Sequence, residues 1–233
     1  MSAATFSVRG GAAPREVALD DPHVVVAGFT GRDQAGVEAH IAELVRLGVP
    51  RPETVPAFFT VPSSLLRVAP VTVSVTAPET SGEAEPVLIR LPSGELLVGV
   101  GSDHTDRDIE RRSLRESKLA CPKVVGHELW PLAEVAERWD ELLLVGETGP
   151  AAAAYQRAAL AELRRPEEIL ELVRAAGADP ERALVVFLGT VALVDGFRFD
   201  RAFRARLLDP HAGRELVCTY DIAFEEDDHA QRS

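Results

Sequence analysis

The hydrophobic pattern along the chain predicts more strands than helices. A β-branched apolar run over residues 24–29 predicts a buried strand. Two runs over residues 85–91 and 95–101 flank a Pro-Ser-Gly turn and predict a β-hairpin. Further strands are predicted over residues 71–77, 183–189, 203–208 and 215–222.

Helical spacing of apolar residues is confined to three stretches. Residues 37–47 follow it, and Gly48 then ends this predicted helix. Residues 151–163 and 166–176 predict two more helices, the second with Pro166 at its start and Gly177 after its end. The pattern thus predicts a mixed α/β fold that is rich in β-strands.

The remaining segments are polar or rich in turn-forming residues. Residues 58–66 are predicted to form an extended loop, and the polar residues 103–118 are predicted to be partly helical. We predict an N-terminal arm or strand (1–23), a single domain (24–224) and a solvated acidic tail (225–233).

Composition and charge narrow the function classes. Apolar residues make up 46% of the chain and charged residues 27%, which is globular composition. The net charge of −12 argues against nucleic-acid and anionic membrane partners, although a bound cation would still permit an anionic substrate. Two cysteines form no disulfide framework or zinc cluster, and no apolar run approaches the ~20 residues of a membrane span. We therefore expect a cytoplasmic protein.

Two carboxylates lie at the start of the predicted hairpin's first strand. On a strand, side chains two residues apart point to the same face, so Glu83 and Glu85 would lie side by side. Like charges at that range repel unless a cation neutralises them, which predicts a metal site. The alternative is a pair of surface glutamates on an exposed strand edge.

The loop after the hairpin is rich in acidic residues. Asp103, His104, Asp106 and Asp108 fall within six residues, where the chain leaves the sheet. Such a cluster suits a hard cation, but aspartate is also an ordinary helix N-cap, and Arg107 would pair with a neighbour in that case.

A histidine and a carboxylate share one face of the first predicted helix. His40 and Glu43 are three residues apart, so the carboxylate would orient the imidazole and raise its basicity. The alternative is an ordinary surface histidine. Lys118 alone carries no functional signal.

The order of these motifs resembles the fumarylacetoacetate hydrolase superfamily. Residues 98–110 are similar to the family segment in which a strand ends at a metal-binding aspartate, followed by an Arg-Asp pair. Glu83-x-Glu85 is similar to the family's Glu-x-Glu ligands, and His40-x-x-Glu43 to a dyad on a mobile segment. Further similarity covers residues 56–65, Lys118 ahead of Cys121-Pro122, and residues 188–190 with Gly189 and Thr190.

Several positions depart from the family pattern. Val61 stands where the family usually has lysine, Glu110 replaces glutamine, and Val191 replaces proline. These changes affect the expected substrate more than the expected metal, and they indicate a divergent branch.

The resemblance implies a fumarylacetoacetase-like mixed β-sheet roll with peripheral helices, forming a homodimer. Glu83, Glu85 and Asp103 would bind Mg²⁺ or Mn²⁺, since oxygen ligands favour such ions. His40, Glu43 and Lys118 would be catalytic, and Arg107, Gly189 and Thr190 would bind substrate. The implied reaction is hydrolysis of a carbon–carbon bond in a small acylpyruvate-like 2-oxo acid through a metal-stabilised enolate.

Other reactions and classes stay open. A decarboxylase or dehydratase would use the same site, and a non-catalytic small-molecule-binding module would keep the sheet without the chemistry. A metal-dependent phosphate-ester hydrolase would also need a glycine-rich phosphate loop or clustered basic residues, and neither is convincing in the sequence.

Overall fold

The computed structural model describes residues 3–11, 13–46, 48–149 and 151–224. The four α-helices in this part of the chain are α1 (Gln34–Arg46), α2 (Arg107–Glu110), α3 (Leu114–Ala120) and α4 (Pro166–Ala175). The strands are β1 (Ala4–Val8), β2 (Arg15–Leu19), β3 (His23–Gly28), β4 (Ala57–Val61), β5 (Leu66–Val68), β6 (Val71–Val75), β7 (Thr80–Ser81), β8 (Ala84–Arg90), β9 (Leu96–Asp103), β10 (Thr105–Asp106), β11 (Lys123–Val125), β12 (Glu128–Pro131), β13 (Leu143–Thr148), β14 (Ala153–Ala159), β15 (Leu184–Phe187), β16 (Ala202–Asp209) and β17 (Arg214–Phe224).

A ten-stranded mixed sheet forms the centre of the fold. Its main path runs β2-β1-β12-β9-β8-β15-β3-β4, with β11 paired to β9 and β5 paired to β11. Neighbours pair antiparallel except β1 with β12, β11 with β5, and β15 with β3. The predicted hairpin is confirmed, because β8 and β9 pair in register from Ala84↔Ser102 to Arg90↔Leu96.

The two faces of the central strands contribute to two hydrophobic cores. Leu88 and Val98 pack into the first core, which reaches Leu144, Leu207 and other residues of the second sheet. That sheet has five strands in the order β14-β13-β16-β17-β6. Val87, Ile89 and Leu97 alternate with the first set and pack against the N-terminal strands. Strands buried on both faces explain why 85–91 and 95–101 are almost continuously apolar.

Most predicted elements are present at close to their predicted positions. The structure contains the predicted strands at β3, β6, β15, β16 and β17, and the helices α1 and α4. Gly177 follows α4 with a φ of +95°, the left-handed conformation that suits glycine after a helix. The predicted β-rich mixed fold is confirmed.

Two predicted elements are wrong. Residues 151–163 were expected to be a helix, but β14 occupies most of that stretch and pairs antiparallel with β13. Pairing across the sheet outweighs the helix propensity of alanine there. Residues 58–66 were expected to be a loop, but β4 pairs with β3 and a 3-10 turn connects it to β5.

Most of the N-terminal segment lies within the described residues, whereas the C-terminal segment does not. Within the predicted arm or strand, β1 and β2 form a hairpin that joins the sheet through β12. The predicted acidic tail, 225–233, lies outside the described residues. Among the described helices, none is long and apolar enough to cross a membrane.

Candidate metal centre

The hairpin β8–β9 brings three carboxylates together where its strands meet the surrounding loops. Glu83 immediately precedes β8, Glu85 lies on β8, and Asp103 is the last residue of β9. The Asp103 N–H donates to the Glu83 carbonyl at 3.1 Å, so strand pairing fixes these two backbones. One carboxylate oxygen from each residue lies within 4.8 Å of the others.

Asp103 is fully buried and surrounded by cations. The Lys118 Nζ lies 2.6 Å from one carboxylate oxygen, and the Lys123 Nζ lies 2.7 Å from the other. Neither contact has hydrogen-bond geometry, and both oxygens are otherwise without a hydrogen-bond partner. Both oxygens are thus ion-paired, and each has a second lone pair with which it could also bind a metal ion.

Glu83 is held by a lysine and an arginine. Its carboxylate accepts hydrogen bonds from Lys118 Nζ at 2.8 Å and from Arg107 Nη1 at 3.1 Å. Burial alone would raise the pKa of Glu83, but the charges of Arg107 and Lys118 outweigh it and hold the pKa well below its ordinary value. Glu83 is therefore ionised at neutral pH.

Glu85 is the least stabilised carboxylate of the three. Burial raises the pKa of Glu85 well above its ordinary value, and the negative charges of Asp103 and Glu83 raise it further. The Gly189 N–H, which donates to Glu85 Oε2 at 2.8 Å, opposes this shift only in part. A divalent cation would relieve the repulsion, so these oxygen ligands fit a hard cation such as Mg²⁺ or Mn²⁺.

Arg107 supports the site from behind Glu83. It also donates to Glu110 at 2.8 Å and to Ser81 at 2.8 Å, and its guanidinium lies 4.5 Å from the centre of the Phe197 ring. The neighbouring anions keep Arg107 charged, with its pKa raised despite burial. A cavity lies next to the three carboxylates, and Arg107 is not among the residues that line it. Its role in substrate binding remains a prediction.

The loop after β15 closes one side of the site. Thr190 Oγ1 donates to the Ala84 carbonyl at 2.7 Å and accepts from the buried Gln156 amide at 2.6 Å. The same Gln156 accepts from the Ala84 N–H at 2.9 Å. Gly189 has a φ of +96°, and an added Cβ would lie 1.9 Å from Thr30 Oγ1. Only glycine fits there without displacing Thr30.

A cavity of about 870 Å³ opens onto the three carboxylates and Lys118. One face of α1 forms part of its wall, including Gly36, His40 and Leu44 at four-residue spacing. His40 Nδ1 lies 4.0 Å from Glu43 Oε2, and both side chains are mostly exposed. His40 thus lines the cavity while Glu43 does not, and their separation is beyond a hydrogen bond, so the catalytic role of this pair remains a prediction.

The three aspartates of the acidic loop make different contacts. Asp103 joins the carboxylate cluster, whereas Asp106 caps α2 by accepting from the Ile109 N–H at 2.9 Å. Asp108 is exposed and pairs with Arg111 and Arg112. The helix-cap interpretation therefore holds for Asp106, and Arg107 pairs with its neighbours Glu83 and Glu110.

The sequence matches one family over most of its length. Residues 27–220 match the family described as "Protein of unknown function (DUF2848)". The chain belongs to this family. None of the curated proteins matches the sequence significantly.

Solved structures share the fold of this DUF2848 chain. A 5-carboxymethyl-2-hydroxymuconate delta-isomerase from Mycobacterium smegmatis has a TM-score of 0.65 at 14% identity, over 91% of this chain and 86% of its own. A protein described as a fumarylpyruvate hydrolase from Burkholderia cenocepacia has a TM-score of 0.62 at 16% identity, over 94% and 95%. A 2-keto-3-deoxy-D-arabinonate dehydratase has a TM-score of 0.64 at 15% identity, over 90% and 77%. The fold resemblance to the fumarylacetoacetate hydrolase superfamily is confirmed.

Three residues of the site were not predicted from the DUF2848 sequence. Lys123 is fully buried and forms an ion pair with Asp103. Gln156 hydrogen-bonds to both Ala84 and Thr190, and Thr30 donates to the Leu188 carbonyl at 2.7 Å. A lysine opening the apolar run 123–125 is a sequence signal, because a charge in a buried strand needs a partner. Gln156 and Thr30 carry no comparable signal.

Proposed function

We propose that this protein is a divalent-metal-dependent enzyme that hydrolyses a carbon–carbon bond in an acylpyruvate-like 2-oxo acid. The observation that carries the proposal is the convergence of Glu83, Glu85 and Asp103 within 4.8 Å on the wall of a large cavity. Glu83 and Asp103 are paired with basic side chains, whereas Glu85 has no such partner among the described contacts, and a divalent cation would offset its repulsion from the other two. The fold shared with a hydrolase, an isomerase and a dehydratase supports an enzyme of this general type.

The formal charges of the site suit a divalent cation and a singly charged substrate. Four carboxylates, those of the cluster and Glu110, are in contact with or next to three cations, Arg107, Lys118 and Lys123. One negative charge remains. Mg²⁺ or Mn²⁺ bound there would supply a Lewis acid for the keto oxygen of a 2-oxo acid and stabilise the negative charge that develops as the bond breaks.

Lys118 is placed to bind negative charge on the substrate. Its ammonium lies at the cavity wall and contacts Glu83 and Asp103. Burial alone would lower the pKa of Lys118, but these two carboxylates raise it above its ordinary value. Lys118 therefore stays protonated, and its positive charge would stabilise negative charge on the substrate acyl group.

His40 is placed to move a proton from the part of the cavity wall that α1 forms. Its ring lines the cavity, and a hydrogen bond to the Glu43 carboxylate, which lies 4.0 Å from Nδ1, would favour the tautomer with a proton on that nitrogen. The other nitrogen is then free to take a proton from water, as hydrolysis requires. In a decarboxylase or dehydratase the same ring would manage protons on the substrate itself.

Two alternatives remain on this site. The dehydratase among the structures of like fold favours a lyase that acts on an oxo-acid or sugar acid. A non-catalytic binding module would keep the cavity. This alternative is supported by Val61, which is buried at a position where the fumarylacetoacetate hydrolase superfamily usually has lysine. Turnover with Mn²⁺ present distinguishes an enzyme from a binding module.

The thermal unfolding midpoint tests the metal site directly. We expect Mn²⁺ to raise the midpoint and oxalate, a mimic of the pyruvate enolate, to raise it further only when Mn²⁺ is present. A ligand at a hundred times its Kd stabilises the folded state by about 2.7 kcal/mol, which is readily measured. Asp103→Asn should abolish both shifts.

A surface carboxylate provides the control. Glu116 is exposed on α3 and lies outside the cavity lining, so Glu116→Gln should keep both shifts. If wild-type protein shows no midpoint shift with Mn²⁺, or if Asp103→Asn keeps it, the metal assignment is wrong and the binding module becomes the better interpretation.

A further inference from the structure

We propose that the substrate group beyond the 2-oxo acid end is uncharged and apolar, and is not a second carboxylate. This inference rests on the proposed function, since it assumes that the 2-oxo acid end lies at the carboxylate cluster. It concerns the rest of the cavity, whose charged and apolar side chains determine which distal groups are accepted.

A distal carboxylate would need a cation, and the two that line the described cavity are already engaged. Arg32 pairs with Asp140 through two hydrogen bonds of 2.8 and 2.9 Å. Arg32 Nε and Nη2 also donate to the Leu163 carbonyl at 3.1 and 2.9 Å. Four of the five N–H donors of this guanidinium are therefore used, and its charge is paired with Asp140.

The second cation belongs to the metal centre. Lys118 contacts Glu83 at 2.8 Å and Asp103 at 2.6 Å, so it serves the end of the substrate that is bound at the cluster. The other charged side chains of the remaining wall are negative: Asp33 and Glu162 both line the cavity. Both are exposed, so water and salt weaken their repulsion of a distal carboxylate, but neither would attract one.

Apolar side chains line much of the remaining wall. They come from the segment after β3, from α1, β4 and α3, and from the loop after β15: Phe29, Val37, Leu44, Phe59, Leu114 and Val191. Several of these are only partly buried, so a ligand would cover apolar surface that water now contacts. Covering it contributes about 25 cal/mol per Å² of apolar area.

The charge balance of the site agrees with this inference. With every carboxylate ionised, the cluster, Glu110 and the three basic residues together carry one formal negative charge. A bound divalent cation would make this total positive, and a monoanionic 2-oxo acid would then neutralise it. A second carboxylate at the distal end of the substrate would lie away from that cation and remain uncompensated.

Two 2-oxo acids of equal chain length provide the test. 2-Oxohexanoate ends in a methyl group and 2-oxoadipate in a carboxylate, and calorimetric titration of the Mn²⁺-loaded protein measures both Kd values. We expect 2-oxohexanoate to bind at least about tenfold more tightly, a difference that corresponds to about 1.4 kcal/mol. Oxalate, titrated in parallel, reports on the metal end alone.

A cation introduced on the cavity face of α1 should reverse the preference. Leu44 lines the cavity and is partly buried, so Leu44→Lys would place an unpaired ammonium in the cavity and favour 2-oxoadipate. Val45 is the next residue of α1, is 46% exposed and lies outside the cavity lining. Val45→Lys adds the same charge to the same helix, and should leave the ratio of the two Kd values unchanged.

The outcomes separate this inference from the proposed function. If oxalate binds but 2-oxoadipate binds as tightly as 2-oxohexanoate or more tightly, the apolar distal group is wrong while the metal site stands. The same holds if oxalate binds and neither longer acid does, or if Leu44→Lys and Val45→Lys change the ratio equally. If oxalate fails to bind, both proposals fail together.

Discussion

At the scale of single residues, Glu85 carries the main electrostatic cost of the carboxylate cluster. It is 2% exposed, two other carboxylates lie beside it, and its pKa is raised well above the ordinary value. A raised pKa means that the folded state binds more protons than the unfolded state above an ordinary carboxyl pKa of about 4.3. The metal-free protein should therefore lose stability as the pH rises from there through the raised pKa of Glu85.

Glu85→Gln should stabilise the metal-free protein at neutral pH, because the amide carries no charge and still accepts from the Gly189 N–H. The difference in unfolding free energy between the variant and the wild type should shrink towards zero below about pH 4. Urea unfolding over a range of pH measures it. With Mn²⁺ the order should reverse, since only the wild type gains binding energy from the intact cluster. A variant less stable than wild type at neutral pH without metal would contradict this account.

At the scale of elements, the loop after β15 depends on a glycine with a left-handed backbone. Gly189 combines a φ of +96° with the close approach of Thr30, whereas Gly177 has a φ of +95° and nothing within 4 Å of an added Cβ. The two glycines thus share a backbone conformation and differ in their surroundings. That difference separates backbone strain from steric clash.

Gly177→Ala should cost about 1 kcal/mol of unfolding free energy, and Gly189→Ala at least about 3 kcal/mol, because the second change adds a clash with Thr30. Gly189→Ala should also weaken Mn²⁺ binding, since the Gly189 N–H holds Glu85. Urea unfolding and Mn²⁺ titration measure the two effects. Equal costs at the two glycines would show that Thr30 moves aside freely.

Elements with a strong local pattern were predictable from sequence, and elements set by distant partners were not. The β8–β9 hairpin has two apolar runs around a turn, and α4 has Pro166 and Gly177 at its ends. By contrast, β14 is alanine-rich and is a strand because β13 pairs with it along its length. Residues 57–61 form β4 because β3 offers an open edge.

The same division applies to the site. Glu83, Glu85 and Asp103 were recognised because their spacing in the chain follows strand geometry and a known motif order. Gln156 bonds to Ala84 and Thr190 across 72 and 34 residues, and Lys123 reaches Asp103 from β11. Such long-range contacts leave no periodic trace in the sequence.

At the scale of the whole molecule, the N-terminal hairpin is part of the second core. Phe6, Val8 and Leu19 are at most 2% exposed and pack with Val87 and Ile89 of the central sheet. The hairpin thus covers the face of β8 and β9 that points away from the five-stranded sheet. The carboxylate cluster depends on that support, because the same two strands carry its ligands.

Phe6→Ala should destabilise the protein by about 3–5 kcal/mol, the usual cost of emptying a buried aromatic site. Thr5→Ala, on the exposed face of the same strand, should change the unfolding free energy by less than about 0.5 kcal/mol. Denaturant unfolding of the two variants measures the difference. Similar small effects would mean that the hairpin is dispensable for the fold.

The three candidate ligands come from a single hairpin, residues 83–103, whereas the apolar wall of the cavity is assembled from segments spread between residues 29 and 191. Sequence changes in α1 or β4 can therefore alter which molecules are accepted without moving a metal ligand. During divergence from a common ancestor, residues 83–103 would therefore be conserved, while substitutions would accumulate independently in the segments that form the apolar wall. On this view, a comparison of paralogues should find the reaction type conserved with the hairpin and the choice of molecule varying with α1.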